Sequence, residues 1–193
     1  VLLPQGLTTG RDITGVNLFE NVRKQGALNL DGNSWAEVHD NESLDFGTGS
    51  FTLEAWVRVK YLDQGSSVNV ILSLGDQINS TDSAGLASTT NTRAQFWYTS
   101  SQTSGTQTEG DWVHIVGVYD ETNATLYVDG SQVDQTARTA ASKTNALVKY
   151  IGRDSQSSGR YYQDQIAQPR IYNRALTASE VLNNYNVTKD LYI

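Results

Sequence analysis

Apolar and polar residues alternate through most of this chain, and the pattern is clearest between Gly110 and Val133. In DWVHIVGVYD, Trp112, Val116 and Val118 fall on one side of an extended strand and Val113, Ile115 and Tyr119 on the other. Apolar residues on both sides predict a strand covered on both faces, and so one in the middle of a sheet. Asp120-Glu121-Thr122-Asn123 is a polar turn cluster, after which Leu126 and Val128 face one way and Tyr127 the other. Asp129-Gly130 tolerates the positive φ of a primed hairpin turn and leads into Ser131-Gln132-Val133. The two hairpins make a meander.

The same period organises the rest. In FTLEAWVRV, Phe51, Leu53, Ala55, Val57 and Val59 point to a core, and Thr52, Glu54, Trp56 and Arg58 point away. Residues 27–31 and 35–39 read as a hairpin pair around Asp31-Gly32-Asn33, and Leu44 and Phe46 as plugs in the loop that follows. Further strands are expected at Val68–Leu74, Ala94–Thr99, Leu147–Gly152 and Tyr161–Asn173. A short one is expected near Leu86, inside the polar excursion 75–92, while residues 100–109 read as a polar hairpin end. Thr177-Ala178-Ser179-Glu180 has the form of a capping box, and the short helix after it should bury Val181, Leu182 and Tyr185. Residues 1–26 are a lead-in with at most one edge strand, and residues 27–193 form the domain. The fold class is all-β: two antiparallel sheets packed about 10 Å apart in a sandwich, with one short C-terminal helix.

Three stretches, in order and spacing, resemble laminin-G-like (concanavalin A-like) domains: WVHIVGVYD followed by LYVDG, FTLEAWVRV, and the closing RIYNRALTASE at 170–180. The resemblance implies a jelly-roll sandwich and a family that includes lectins, receptor modules, adhesins and domains appended to enzymes. DQIAQPRIYNRALTASEVLNNYNVTK, with LDGNSWAEVHDN near the start, is similar to laminin-G-like domains of tailed-bacteriophage structural proteins. That likeness implies a module that decorates a virion and touches host glycans, and an extracellular or virion-surface location. Such domains often hold Ca²⁺ near the sandwich rim through Asp side chains and carbonyls. By the same resemblance, Asp31 and Asp164 are the candidate Ca²⁺ ligands, the alternative being that the site is absent and both are solvated turn acids. Where the family carries F-x-G-x-I-D-E-V-R-I-Y this chain has YQDQIAQPRIY, with Ala167 and Gln168 at the acidic positions and Asp164 in place of the glycine.

Composition narrows the chemistry. No Cys is present, so disulfides, thiolate metal sites and a Cys nucleophile are excluded. A net charge of −7 argues against nucleic acid, whose phosphates demand a basic stripe. No run approaches the roughly 20 apolar residues of a membrane span. The chain starts with Val and has no Met, which implies removal of an initiator or an upstream segment. No closely spaced carboxylate pair marks a glycosidase, and His114 reads as a buried, hydrogen-bonded strand residue rather than a catalytic one. Sugar binding calls for an aromatic platform with amide or charged company. Tyr61, Trp97, Tyr98, Tyr161 and Tyr162 are the candidate platforms and Arg58, Asn91 and Gln163 the polar partners, while Trp56 and Trp112 read as core. The expected function is a non-catalytic recognition module for a glycan or cell-surface polysaccharide. Two alternatives stand beside it: an assembly subunit packed against other virion subunits, and a glycan hydrolase or lyase.

Overall fold

The computed structural model describes residues 26–38, 42–58, 68–75, 83–89, 93–99, 101–107, 110–138, 149–155 and 160–193. Twelve strands lie among them: β1 (Ala27–Asp31), β2 (Ala36–Val38), β3 (Phe51–Arg58), β4 (Val68–Leu74), β5 (Ala84–Thr89), β6 (Arg93–Tyr98), β7 (Ser101–Thr106), β8 (Trp112–Tyr119), β9 (Asn123–Val128), β10 (Ser131–Ala137), β11 (Lys149–Ile151) and β12 (Gln163–Tyr172). One helix, α1 (Ala178–Thr188), closes the chain. The strands form two antiparallel six-stranded sheets, ordered β1-β12-β3-β8-β9-β10 and β2-β11-β4-β5-β6-β7. The lead-in at 1–25 lies outside the described residues, as do Val59 and His39.

The central meander forms as its pattern dictates. β8 sits between β3 and β9, and the Asp129-Gly130 turn into β10 has φ of 50° and 77°, both positive as a type I′ turn requires. At the other end of the hairpin, Asp120 Oδ1 accepts the backbone N–H groups of Thr122 and Asn123 and the Thr122 hydroxyl, which replaces the missing ladder bonds at the turn.

Phe51, Leu53, Ala55 and Val57 of β3 face the second sheet and join Leu72, Leu86 and Phe96 there in one buried core. The opposite side of β3 is buried as well, because the C-terminal segment folds over it. Val116, Val118 and Tyr127 pack against Leu176 and Val181, and Trp56 is fully buried between Tyr185 (5.8 Å) and Tyr192 (4.8 Å). Thr52 donates to Arg174 O and accepts the Leu176 N–H, which ties the entry of the helix to β3. Arg174 and Thr177 both hold the Glu180 carboxylate, and the Arg174 hydrogen bonds lead in drawing its pKa down to about 2. Replacing Thr177 with alanine removes the acceptor for the Glu180 N–H, so a loss of about 1 kcal/mol in urea unfolding is expected.

Three expectations need correction. β1 and β2 are not a hairpin: β1 pairs with β12 and β2 with β11, in different sheets. The cause is Asp31, whose Oδ1 accepts the Asn33 N–H (2.9 Å) and the Ser34 hydroxyl (2.8 Å) and turns the chain out of the first sheet. Residues 101–106 form a full strand against β6, with the Ser104 N–H donating to Asp134 of β10, so an almost wholly polar sequence is held by its backbone. Leu182 is 46% exposed, because α1 rests on the sheet through Val181 instead.

Candidate functional site

β1, β3 and β9 finish, and β8, β10 and β12 begin, at the same end of the first sheet. Register there pairs Asp31 with Gln163 and Arg58 with Trp112, and Asp129 follows at the end of β9. Antiparallel pairing thus collects residues that are far apart in sequence on a single rim, with neighbouring strands about 4.8 Å apart.

At one side of this rim stands an aromatic cluster built around a guanidinium. Arg153 follows β11, and its Cζ lies 4.5 Å from the centroid of Trp35, 5.0 Å from Tyr150 and 5.4 Å from Tyr161. Trp35 and Tyr161 are themselves 5.8 Å apart at 38°. Trp35 is 39% exposed, and its Nε1–H donates to the exposed Glu37 carboxylate at 2.9 Å. The backbone beneath is pinned to β4: the Gly152 N–H donates to Ile71 O (2.9 Å), the Val70 N–H to Arg160 O (3.0 Å), and the Ser73 hydroxyl to Arg153 O (3.1 Å). Gly152 has φ +91°, and a Cβ there would lie 2.4 Å from Leu30 Cδ1, so only glycine lets the chain pass this close to β1. Rings and guanidinium are therefore presented from a rigid base. An exposed indole offers an apolar face for the C–H side of a sugar ring, and the guanidinium and carboxylate beside it can hydrogen-bond hydroxyls.

At the other side lies a cleft of about 570 Å³ lined by Arg58, Asp111, Trp112, Asp129, Tyr192 and Ile193, among others. Trp112 and Tyr192 rings lie 4.8 Å apart in its wall, and Arg58 Nε donates to Gly110 O at 3.3 Å. Burial pushes the Asp129 carboxyl above its usual range, although its Oδ1 accepts the His114 N–H.

Of the residues singled out from sequence, Tyr161 falls within the aromatic cluster, Gln163 beside it against Gly32, and Arg58 in the cleft. Tyr98 and Tyr162 are corrected: both are interior, Tyr98 stacked on Tyr119 at 4.1 Å and Tyr162 donating its hydroxyl to Arg58 O at 2.6 Å. Each directly follows another candidate ring, and alternation sends one of two consecutive side chains inward. Trp97 lies half-buried on the outer side of the second sheet against Val70 and Ala87, with its Nε1–H on Gln95, three strands from β11. Tyr61 and Asn91 lie outside the described residues. Asp31 and Asp164 sit on adjacent strands, but Asp164 pairs with Leu30 and not with Asp31, so register puts their carboxylates on opposite faces of the sheet. Among the described residues no group of three or more His, Asp or Glu side chains is placed to hold a metal ion.

Trp35, Tyr150 and Arg153 escaped the sequence reading, as did the lining role of Trp112, which is half-buried and not core. The available signal was the large aromatic directly after the DGN turn, where a purely structural turn has no need of an indole.

A sandwich of two six-stranded antiparallel sheets is the architecture of concanavalin A-like domains. The chain belongs to that class: residues 30–182 match the Laminin_G_3 family of the concanavalin A-like lectin/glucanases superfamily. No curated protein sequence matches it. Among solved structures it is similar to Trypanosoma rangeli sialidase in complex with a difluorinated nononic acid, at 19% identity and TM-score 0.63, covering 86% of this chain and 28% of that one. It is also similar to domain 4 of AbnA, an extracellular arabinanase from Geobacillus stearothermophilus, in complex with arabinotriose (18%, TM-score 0.62, 81% of this chain, 75% of that one). A third is a Bacteroides ovatus protein provisionally named as carbohydrate binding (16%, TM-score 0.60, 77% and 44%). The chain thus spans about a quarter of the sialidase, 28%, and most of the arabinanase domain.

Proposed function

We propose that this domain binds glycans, without turning them over, at the rim where Trp35, Tyr150 and Tyr161 surround Arg153. The observation that carries the reading is this cluster itself: a partly exposed indole and two tyrosines held rigidly beside a guanidinium and a carboxylate. The sugar-related names of the similar structures support it at the level of the fold. From the resemblance of its sequence to tailed-phage modules we further propose that the domain sits outside the cell or on a virion.

A glycan array followed by calorimetry tests the reading. Trp35→Ala and Tyr161→Ala should each weaken the best ligand about tenfold, the loss of one stacking partner, with the melting temperature little changed. Wild-type affinity in both variants would remove the site. An EDTA arm addresses calcium: unchanged binding eliminates Asp31 and Asp164 as ligands of a required ion. Incubation with the bound polysaccharides should release neither reducing sugar nor unsaturated product.

The assembly reading rests on a different feature, the exposed Leu182, Val187 and Ile193 along the C-terminal segment. It gains ground if every glycan fails and native material elutes as a complex burying over about 1,000 Å² per contact.

A further inference from the structure

Resting on the glycan-binding reading, we infer that the rim takes acidic saccharides, with a sugar carboxylate seated on the Arg153 guanidinium. The described residues leave this cation without a counter-ion. Arg160, Arg170 and Arg174 are each bridged to an acid, Asp154, Glu54 and Glu180 respectively, whereas Arg153, like Arg58, Arg93 and Arg138, forms no ion pair among the described residues, and Arg153 is half-buried against three rings. Among the described residues its one side-chain hydrogen bond runs from Nε to Asp154 O at 2.7 Å, and neither terminal nitrogen has a partner there. The acids nearby are engaged elsewhere, Glu37 with the Trp35 indole and Asp154 with Arg160. This happens in a chain with 21 acidic and 14 basic residues, where a spare acid is easily found.

The surroundings set the chemistry of the missing partner. Three ring faces lie within 5.4 Å of Cζ and attract the cation through their quadrupoles, while shielding it from water on those sides. The terminal nitrogens of the fork have no hydrogen-bond partner among the described residues. Its parallel N–H groups match the two oxygens of a planar carboxylate, a fit that hydroxyls of a neutral sugar reproduce only in part. Trp35 stands directly beside the fork, so the carboxylate and a stackable ring should belong to the same sugar residue. Uronic-acid and sialic-acid-type residues have that form. A sulfate ester offers the same charge in tetrahedral geometry, and the experiment separates the two.

The test uses the full chain and a panel of paired glycans: uronate and sialate oligosaccharides, the same compounds methyl-esterified at the carboxyl, sulfated oligosaccharides, and neutral ones. Carboxylated glycans should bind, and esterification should weaken them about tenfold or more. Arg153→Gln should remove that advantage, and Arg153→Lys, which keeps charge but loses the fork, should restore part of it. If Arg153→Gln does not fold, the esterified ligands on the unaltered chain decide the matter alone. Neutral or esterified glycans bound as tightly as acidic ones at the Trp35 rim overturn the inference and leave the glycan-binding reading standing. Sulfated ligands bound in preference overturn the carboxylate assignment. Silence on every glycan overturns both readings.

Discussion

Replacing Glu54 with alanine is expected to lower the unfolding free energy by about 3–5 kcal/mol, the cost of removing one partner from a buried ionic network. Glu54 is 1% exposed. Its Oε1 accepts from Arg170 at 2.7 Å and lies 3.0 Å from His114 Nε2, and its Oε2 accepts from the Tyr172 hydroxyl and from Asn184 Nδ2, both at 2.9 Å. Four donors from β8, β12 and α1 converge on one carboxylate of β3, so its loss strands them beneath the helix and loosens the C-terminal cover. Arg170, 35% exposed, can turn to water, and Arg170→Ala should cost less.

The same network sets a pH dependence. Burial by itself pushes the Glu54 carboxyl up, but the hydrogen bond and charge of His114, the charge of Arg170 and the Tyr172 hydroxyl outweigh it. They hold Glu54 below the ordinary glutamate value of 4.5. A carboxylate depressed in the folded state stabilises above its unfolded value, and that contribution is lost as pH falls through the folded value. Wild-type stability should therefore decline below pH 4.5, and the gap between wild type and Glu54→Ala should narrow there. Asp31, Asp120 and Glu180 are also depressed, so the gap, not the wild-type curve alone, reports Glu54. Guanidinium unfolding of both proteins across the acid range measures it. A gap that stays constant with pH would mean that Glu54 holds the helix by shape and not by charge.

Sequence and structure part company where side chains have two directions available. The meander, the strand FTLEAWVR and the Thr177/Glu180 cap were legible because short-range periods and turn chemistry determine them. The burial of Thr52 and Glu54 was not, because nothing in their alternation shows that α1 will cover the outer side of β3. His114 was readable as buried, but its partner Glu54, 60 residues away, was not. The rim is harder still. Trp35, Tyr150, Arg153 and Tyr161 share no local pattern; they meet because Asp31 sends the chain into the second sheet and because β11 lies beside β2. A candidate site assembled from separate segments leaves its trace in topology, and periodicity does not encode that.

Removing the ring of Phe51 should be as damaging as removing Glu54, about 3–5 kcal/mol, for an unrelated reason. Phe51 is fully buried where the two sheets face each other, its ring 5.6 Å from Phe46, 6.1 Å from Phe96, 5.7 Å from Tyr98 and 5.8 Å from Tyr119. Interiors pack near crystal density, so Phe51→Ala leaves a void that these large rings fill only in part. The opposite error should be felt next door. A Cβ on Gly117 would come within 2.4 Å of the Phe96 ring, and Gly117→Ala should cost about 1–3 kcal/mol by overpacking. Because both changes act on Phe96, Gly117→Ala combined with Phe96→Leu should cost clearly less than the two single changes added together. Additive costs in urea unfolding would show that the sheets do not meet at this ring. The rim depends on that contact, since Arg58 and Trp112 are held at the ends of the strands that carry Phe51 and Gly117.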